Sequence, residues 1–325
     1  MALPLLLKRS AVSEAREGAA MITMRTVLVP YDGSEFSQRA LHHAVALARW
    51  YKAAITLLHV DPRDTFLSDV GGGAWGSPVE PGERKRMVSR LAEIGASARG
   101  AGVGVDVRVT EGRPITEIVR VAKEIDADLL VMGTHGRSGF DRLVLGSVTE
   151  KVLRHAPCPV LTVTARTVPV YRSGRPPFES LVCPVDFSET SLRALEYALS
   201  LAQEAYGRLT ILHALEQFPP EEEPALAHFD MGAYHQAVER TVRGRLAEIL
   251  PKGSPDWCKP EHVVVRGRAW RAILDTAEAR TADLIVMGIH GRNPVDLALF
   301  GSTTHHVVRG ARCPVLVVRS GAPAS

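Results

Sequence analysis

Three absences bound the sequence first. No stretch approaches the ~20 apolar residues that a membrane-spanning helix needs. The four cysteines, Cys158, Cys183, Cys258 and Cys313, form no C-x-x-C pair and no Cys/His cluster at zinc spacing. Blocks of like charge are missing too. The net charge is +3 with histidine neutral, spread along the chain, so charge implies neither a nucleic-acid nor a membrane partner. No activated nucleophile, metal cluster or carboxylate dyad stands out. A reduced, cytoplasmic chain is the expectation.

What is present is an ordinary globular mixture, 46% hydrophobic and 23% charged, in 325 residues. That length is about twice a typical domain and predicts two. Met1 to Leu7 is apolar but too short for a signal core, and Lys8 and Arg9 follow it instead of preceding it. Residues 1–22 are expected to be a flexible N-terminal extension, with Met21 and Met24 as alternative starts to Met1.

An internal repeat organises the rest. The segment V-L-V-P-Y-D-G-S-E from Val27 recurs as L-V-C-P-V-D-F-S-E from Leu181, and A-D-L-L-V-M-G from Ala127 recurs as A-D-L-I-V-M-G from Ala282. Offsets of 154 and 155 are too long for a solenoid unit and mean two whole domains of one descent. The expected division is residues 23–166 and 179–320, with a Pro/Gly linker over 167–178 and a tail over 321–325.

Each half alternates short apolar runs with helical spacing. The first predicts strands over 25–30, 54–60, 103–109, 128–132 and 160–163, and helices from Ser34 and over 81–97, 115–123 and 148–154. Long polar inserts fall at 61–80 and 217–231. This order implies α/β architecture: two repeated doubly wound, mainly parallel five-stranded sheets of Rossmann-like type. Such sheets bind ligands beyond the carboxyl ends of their strands. The closing runs, Val160–Val163 and Val315–Val318, are candidates to pair with each other and so protect two edges. That pairing would make an intramolecular pseudo-dimer; dimerisation of the whole chain stays open.

Three features fall at predicted strand ends. Asp32 and Asp186 follow the first strand of each half; Val60 and Ala214 end the second. After the fourth comes a glycine-rich turn, Gly133-x2-Gly136-x9-Gly146-Ser147, repeated as Gly288-x2-Gly291-x9-Gly301-Ser302. The paired glycines suit turns and close ligand approach, and Gly-Ser opens a helix whose free N–H groups favour phosphate. Arg137 and Arg292 lie inside the loops and suit further phosphate charge, and an acidic group suits ribose or base donors. The pattern is neither a Walker A loop nor the G-x-G-x-x-G fingerprint. A tight turn with nothing bound is the competing reading of the glycines, and helix capping that of the aspartates. His135 and His290 fit a general base less well than loop packing. His305 and His306 are expected at the surface, and Cys158 and Cys313 as small buried residues.

The pattern G-x2-G-x9-G-[ST], after a strand ending in Met-Gly and before C-P-V-L-x-V, resembles the universal stress protein family. The likeness spans about 85% of the chain. It implies a nucleotide alpha-hydrolase-like fold and a site for ATP, with Mg²⁺ arriving on the phosphates. In ATP-binding members the matching positions hold adenosine at Asp32 with Val60 and at Asp186 with Ala214. The paired glycines there line ribose and phosphates, hence Gly133 with Gly136 and Gly288 with Gly291. The helix starts grip phosphate, hence Gly146, Ser147 and Val148, and Gly301, Ser302 and Thr303. Pro30, Met132, Pro184 and Met287 complete the candidate set from the same motifs. Phe187 departs from the Gly33 position and Pro294 from the Gly139 position. The implied role is an ATP-binding stress-response sensor or regulator acting on a protein partner. A slow ATPase or phosphotransferase and a protein-interaction scaffold with vestigial sites are the alternatives.

Overall fold

The computed structural model describes residues 22–62, 81–135, 145–164, 166–167, 176–216, 231–250, 260–289 and 301–319. Residues 63–80 of the insert over 61–80, most of that over 217–231, and 168–175 of the linker lie outside them. The first half runs β1 (Thr26–Pro30), α1 (Glu35–Tyr51), β2 (Ala54–Asp61), α2 (Pro81–Gly100), β3 (Val105–Glu111), α3 (Pro114–Glu124), β4 (Leu129–Gly133), α4 (Ser147–His155) and β5 (Val160–Val163). The second repeats it: β6 (Ser180–Pro184), α5 (Glu189–Ala205), β7 (Arg208–Leu215), α6 (Met231–Glu248), β8 (Glu261–Arg266), α7 (Ala269–Ala279), β9 (Leu284–Gly288), α8 (Ser302–Gly310) and β10 (Val315–Val318). Element types match expectation throughout; the ends shift by up to three residues, where capping rather than periodicity decides.

The inner strands β1, β4, β9 and β10 are short, mainly β-branched and aliphatic runs because both sheet faces are covered there. Val27, Leu28 and Val29 are fully buried, as are Leu130 and Val131. Helix α1 places Ala40, Leu41, Ala44, Val45 and Ala48 on one buried stripe. It begins where Ser34 Oγ accepts the Ser37 N–H at 3.2 Å, and Ser188 does the same for Ser191 at the start of α5 at 3.3 Å. The start of β1 is held by Asp128, whose Oδ2 accepts from Arg25 and Thr26 N–H at 2.7 and 2.9 Å. Asp283 repeats this with Glu179 and Ser180.

The two five-stranded units join into one ten-stranded sheet ordered β3-β2-β1-β4-β5-β10-β9-β6-β7-β8. Every pairing is parallel except the central one, where Val315, Leu316 and Val317 pair antiparallel with Thr162, Leu161 and Val160. The expected pairing of the closing strands is therefore made within one chain. An approximate two-fold axis passes through it, and the carboxyl ends of the two strand sets point to opposite edges of the sheet. Helices α1, α2, α5 and α6 pack on one face and α3, α4, α7 and α8 on the other. Each apolar layer draws residues from both halves, so the halves share their cores.

Side chains also cross the junction. Thr164 Oγ1 donates to Ala311 O and Arg319 Nη1 donates to Ala156 O, both at 3.1 Å. Ala156 and Ala311 cap the carboxyl ends of α4 and α8, where cationic and other donors offset the negative end of the helix. Ser200 Oγ on α5 accepts from Ile22 N–H at 2.9 Å.

One buried group sets a pH limit on this core. His43 on α1 is 5% exposed, and its Nε2 has no hydrogen-bond partner among the described residues. Burial, helped by the charges of His42 and Arg39, lowers its pKa to about 4. The folded state thus keeps it neutral while the unfolded state takes up a proton below about 6.5. Stability is full above that value and falls as pH drops, by about 2 kcal/mol at pH 5 and about 3 at pH 4. Urea unfolding across pH 8 to 4 should show this loss, and His43→Leu should flatten it.

Candidate functional site

The strand order places β1 beside β4 in the first half and β6 beside β9 in the second and reverses direction there, which opens a crevice at their carboxyl ends. Four segments of the candidate motif meet at that switch point in the first half. They are the β1–α1 turn with Asp32, the end of β2 with Val60, the end of β4 with Met132 and Gly133, and the α4 start with Gly146, Ser147 and Val148. The second half assembles Pro184, Asp186, Ala214, Met287, Gly288, Gly301, Ser302 and Thr303 in the same way. Gly136, Arg137, Gly291 and Arg292, with Gly139, His290 and Pro294, lie outside the described residues.

The β1–α1 turn is built to fix a carboxylate. Asp32 Oδ1 accepts the Ser34 N–H at 3.0 Å, and Asp186 Oδ1 accepts the Ser188 N–H at the same distance. The N-cap of each helix is the serine, Ser34 or Ser188, just beyond the aspartate. A second tie fixes the turn from β2. His59 Nδ1–H donates to Tyr31 O at 2.8 Å and His213 Nδ1–H to Val185 O at 2.6 Å. A carbonyl accepts only, so this bond selects the Nδ1–H tautomer. These matched histidines, 154 apart, escape a motif search, though their recurrence in both halves is visible in the sequence.

Gly33 turns at φ +83°, and Phe187 holds the same left-handed geometry at φ 66°. The departure at Phe187 therefore preserves the turn. Left-handed backbone costs a side-chain-bearing residue about 1–2 kcal/mol. The ring offsets this by packing 5.0 Å from His213 and 3.9 Å beneath the Arg245 guanidinium.

Turn freedom, expected of Gly133, is not what its position uses. Gly133 and Gly288 are the last residues of β4 and β9 and neither has positive φ. A Cβ on Gly133 would lie 2.6 Å from Phe36 Cβ, and one on Gly288 would lie 2.8 Å from the Thr190 carbonyl carbon. The missing side chain lets the first turn of α1 or α5 close onto the strand end.

Helices α4 and α8 start without a side-chain cap, at Gly146 and Gly301. Their first N–H groups are donors not taken by a capping side chain. Thr149 Oγ1 donates back to Gly133 O at 2.9 Å, and Thr304 Oγ1 to Gly288 O at 3.2 Å. Each threonine clamps the helix start to the strand end. First-turn charge differs between the copies: α4 carries Glu150, ion-paired with Arg154, whereas α8 carries no acid there.

His135 packs against Phe36 with ring centroids 5.0 Å apart and meets Thr134 Oγ1 at 3.0 Å. Its Nε2 is buried, which fits loop packing. His305 and His306, expected at the surface, are partly buried. His306 stacks on Trp270 at 5.0 Å and donates from Nδ1 to Ser302 O at 2.7 Å. Cys158 and Cys313 are buried as expected, and burial raises both thiol pKa values to about 12. A cleft of about 400 Å³ lined by Thr23, Lys123, Asp126, Cys158 and Tyr197 lies at the amino-terminal strand ends and contains none of the candidate site residues. Among the described residues no helix is long and apolar enough to cross a membrane.

Comparison with known proteins agrees with this geometry. A sequence profile of the universal stress protein family matches residues 23–164 and again 177–319. A universal stress protein of Methanocaldococcus jannaschii is 34% identical over 139 residues, 43% of this chain and 81% of its own length. Another, from Mycobacterium bovis, is 28% identical over 297 residues, covering 90% of this chain and 96% of its own. The solved universal stress protein of Archaeoglobus fulgidus superposes with a TM-score of 0.65 at 25% identity, covering 91% of this chain and 98% of that one. With two consecutive matches that fill most of its length, the chain belongs to the universal stress protein family.

Proposed function

We propose that each half binds a nucleotide at its switch-point crevice, with ATP the first candidate, and that the chain acts as a nucleotide-dependent sensor or regulator. The carrying observation is convergence. One fixed carboxylate, one apolar strand end and one uncapped helix start meet at a single crevice, and the same set recurs in the second copy. Asp32 and Asp186 would accept from ribose or base donors. Val60 with Met132, and Ala214 with Met287, would face the base. The N–H groups of Ser147 and Val148, or Ser302 and Thr303, would meet phosphate, where the helix dipole favours negative charge. Among the described residues no three acidic, histidine or cysteine side chains are placed to hold a metal ion. Mg²⁺ would arrive with the phosphates, held mainly by them and by water.

Binding rather than turnover is the reading, because His135 packs on Phe36, meets Thr134 through Nδ1 and has its Nε2 buried. Occupancy would change what the protein docks against. Mass spectrometry of the small molecule released by denaturing freshly purified protein should find adenine nucleotide at one or two equivalents per chain. Calorimetric titration with ATP and a cyclic nucleotide should rank them. Finding no co-purified nucleotide and no titration signal would refute the proposal, and steady phosphate release would favour the slow ATPase instead.

A further inference from the structure

We propose that the two crevices are coupled through crossed helix caps at the β5–β10 junction, so that occupancy of one tightens binding in the other. This inference rests on the nucleotide reading above. In the second half, Ile289 is the first residue past β9 and leads into the glycine motif. Its N–H donates to Val318 O at 3.0 Å. The next residue, Arg319, donates to Ala156 O, the carboxyl-terminal cap of α4 in the first half. Helix α4 has nine residues, a rod of about 13 Å, and its other end is Gly146-Ser147 at the first crevice.

The reverse connection is built the same way. Thr134, the first residue past β4, donates its N–H to Val163 O at 3.0 Å. The next residue, Thr164, just past β5, donates its hydroxyl to Ala311 O, the cap of α8. Helix α8 starts at Gly301-Ser302 in the second crevice. All four link positions recur at an offset of 155, although threonine supplies the donor in one direction and arginine in the other.

Each link joins the loop of one crevice to the far end of the helix that opens into the other. Val152 and Leu153 on α4 and Val307 and Val308 on α8 belong to one apolar layer. Close-packed helices move as bodies rather than bending. A ligand held against Gly288 restrains Ile289 and Val318, fixes Arg319 on Ala156 O, and sets the axial position of α4. Its uncapped N–H groups are then placed for an anion before one arrives, which makes the coupling positive.

The test is calorimetric titration of the full chain with ATP, fitted to two sites. The wild type is expected to bind the second nucleotide about 5–10-fold more tightly than statistics allow for independent sites. Thr164→Val, which keeps side-chain volume, should cut that factor to about twofold. Thr164→Val with Arg319→Leu should bring it to one while two nucleotides still bind. Melting curves of each variant establish that it is folded, and Thr164→Val alone decides the matter if the double variant is not. A folded double variant with the wild-type factor overturns the inference, as does a wild type with two independent sites or only one. A wild type that binds no nucleotide at all overturns the site reading itself and removes the coupling with it.

Discussion

Gly133→Ala and Gly288→Ala are each expected to destabilise the protein by about 3 kcal/mol, the upper end of ordinary overpacking. The new methyl would meet Phe36 Cβ at 2.6 Å and its carbonyl carbon at 2.9 Å in the first half. In the second it would meet the Thr190 carbonyl carbon at 2.8 Å and Ser191 N at 2.9 Å. These are backbone atoms or the Cβ attached to them, so no rotamer change relieves the clash. The first turn of α1 or α5 has to move off the strand end. A fall in melting temperature of roughly 5–10 °C is the expected readout, and nucleotide binding should weaken in the altered half because its crevice widens.

Two other glycines separate this effect from glycine replacement in general. A Cβ at Gly244 on α6 would meet nothing within 4 Å, so Gly244→Ala should stabilise by about 0.5–1 kcal/mol through helix propensity. At Gly310 the near neighbour is Leu274 Cδ1 at 2.7 Å, the end of a flexible side chain, so Gly310→Ala should be milder than either motif variant. If Gly133→Ala and Gly288→Ala prove as harmless as Gly310→Ala, the close helix–strand approach is not what these positions require.

The same two glycines mark where sequence pattern stops informing. Their spacing identifies the strand-to-helix turn and places it at the switch point, because β4 and β9 are short apolar runs that end there. Pattern does not reveal that the missing side chain serves α1 and α5, over 80 residues earlier in the chain. The fold was legible because repetition and strand–helix alternation are local signals written twice. Pairing of β5 with β10 was legible because two short, mainly apolar closing strands each need a neighbour. Bonds such as Thr149 to Gly133, His59 to Tyr31 and Arg319 to Ala156 connect residues that only the tertiary fold brings together. Recurrence in the second copy exposes the histidines and the threonine clamps; the Arg319 link replaces threonine by arginine and leaves no such trace.

Replacing Ser147 and Ser302 together by glutamate should weaken ATP binding by at least about 100-fold, roughly 3 kcal/mol, while leaving the fold intact or slightly steadier. The opposite signs share one physical cause. Both serines are exposed first residues of helices that begin at uncapped glycines. A carboxylate there satisfies the positive end of the dipole and contributes about 0.3–1 kcal/mol to folding. It also occupies the electrostatic position that a phosphate would take and repels the ligand's charge. Ser147→Ala with Ser302→Ala removes only two hydroxyl donors and should cost about tenfold or less. Calorimetric titration beside a melting curve reads both quantities on one preparation. Weaker binding with an unchanged or higher melting temperature places phosphate at the two helix starts. Unchanged binding would move the nucleotide away from them, whatever happens to stability.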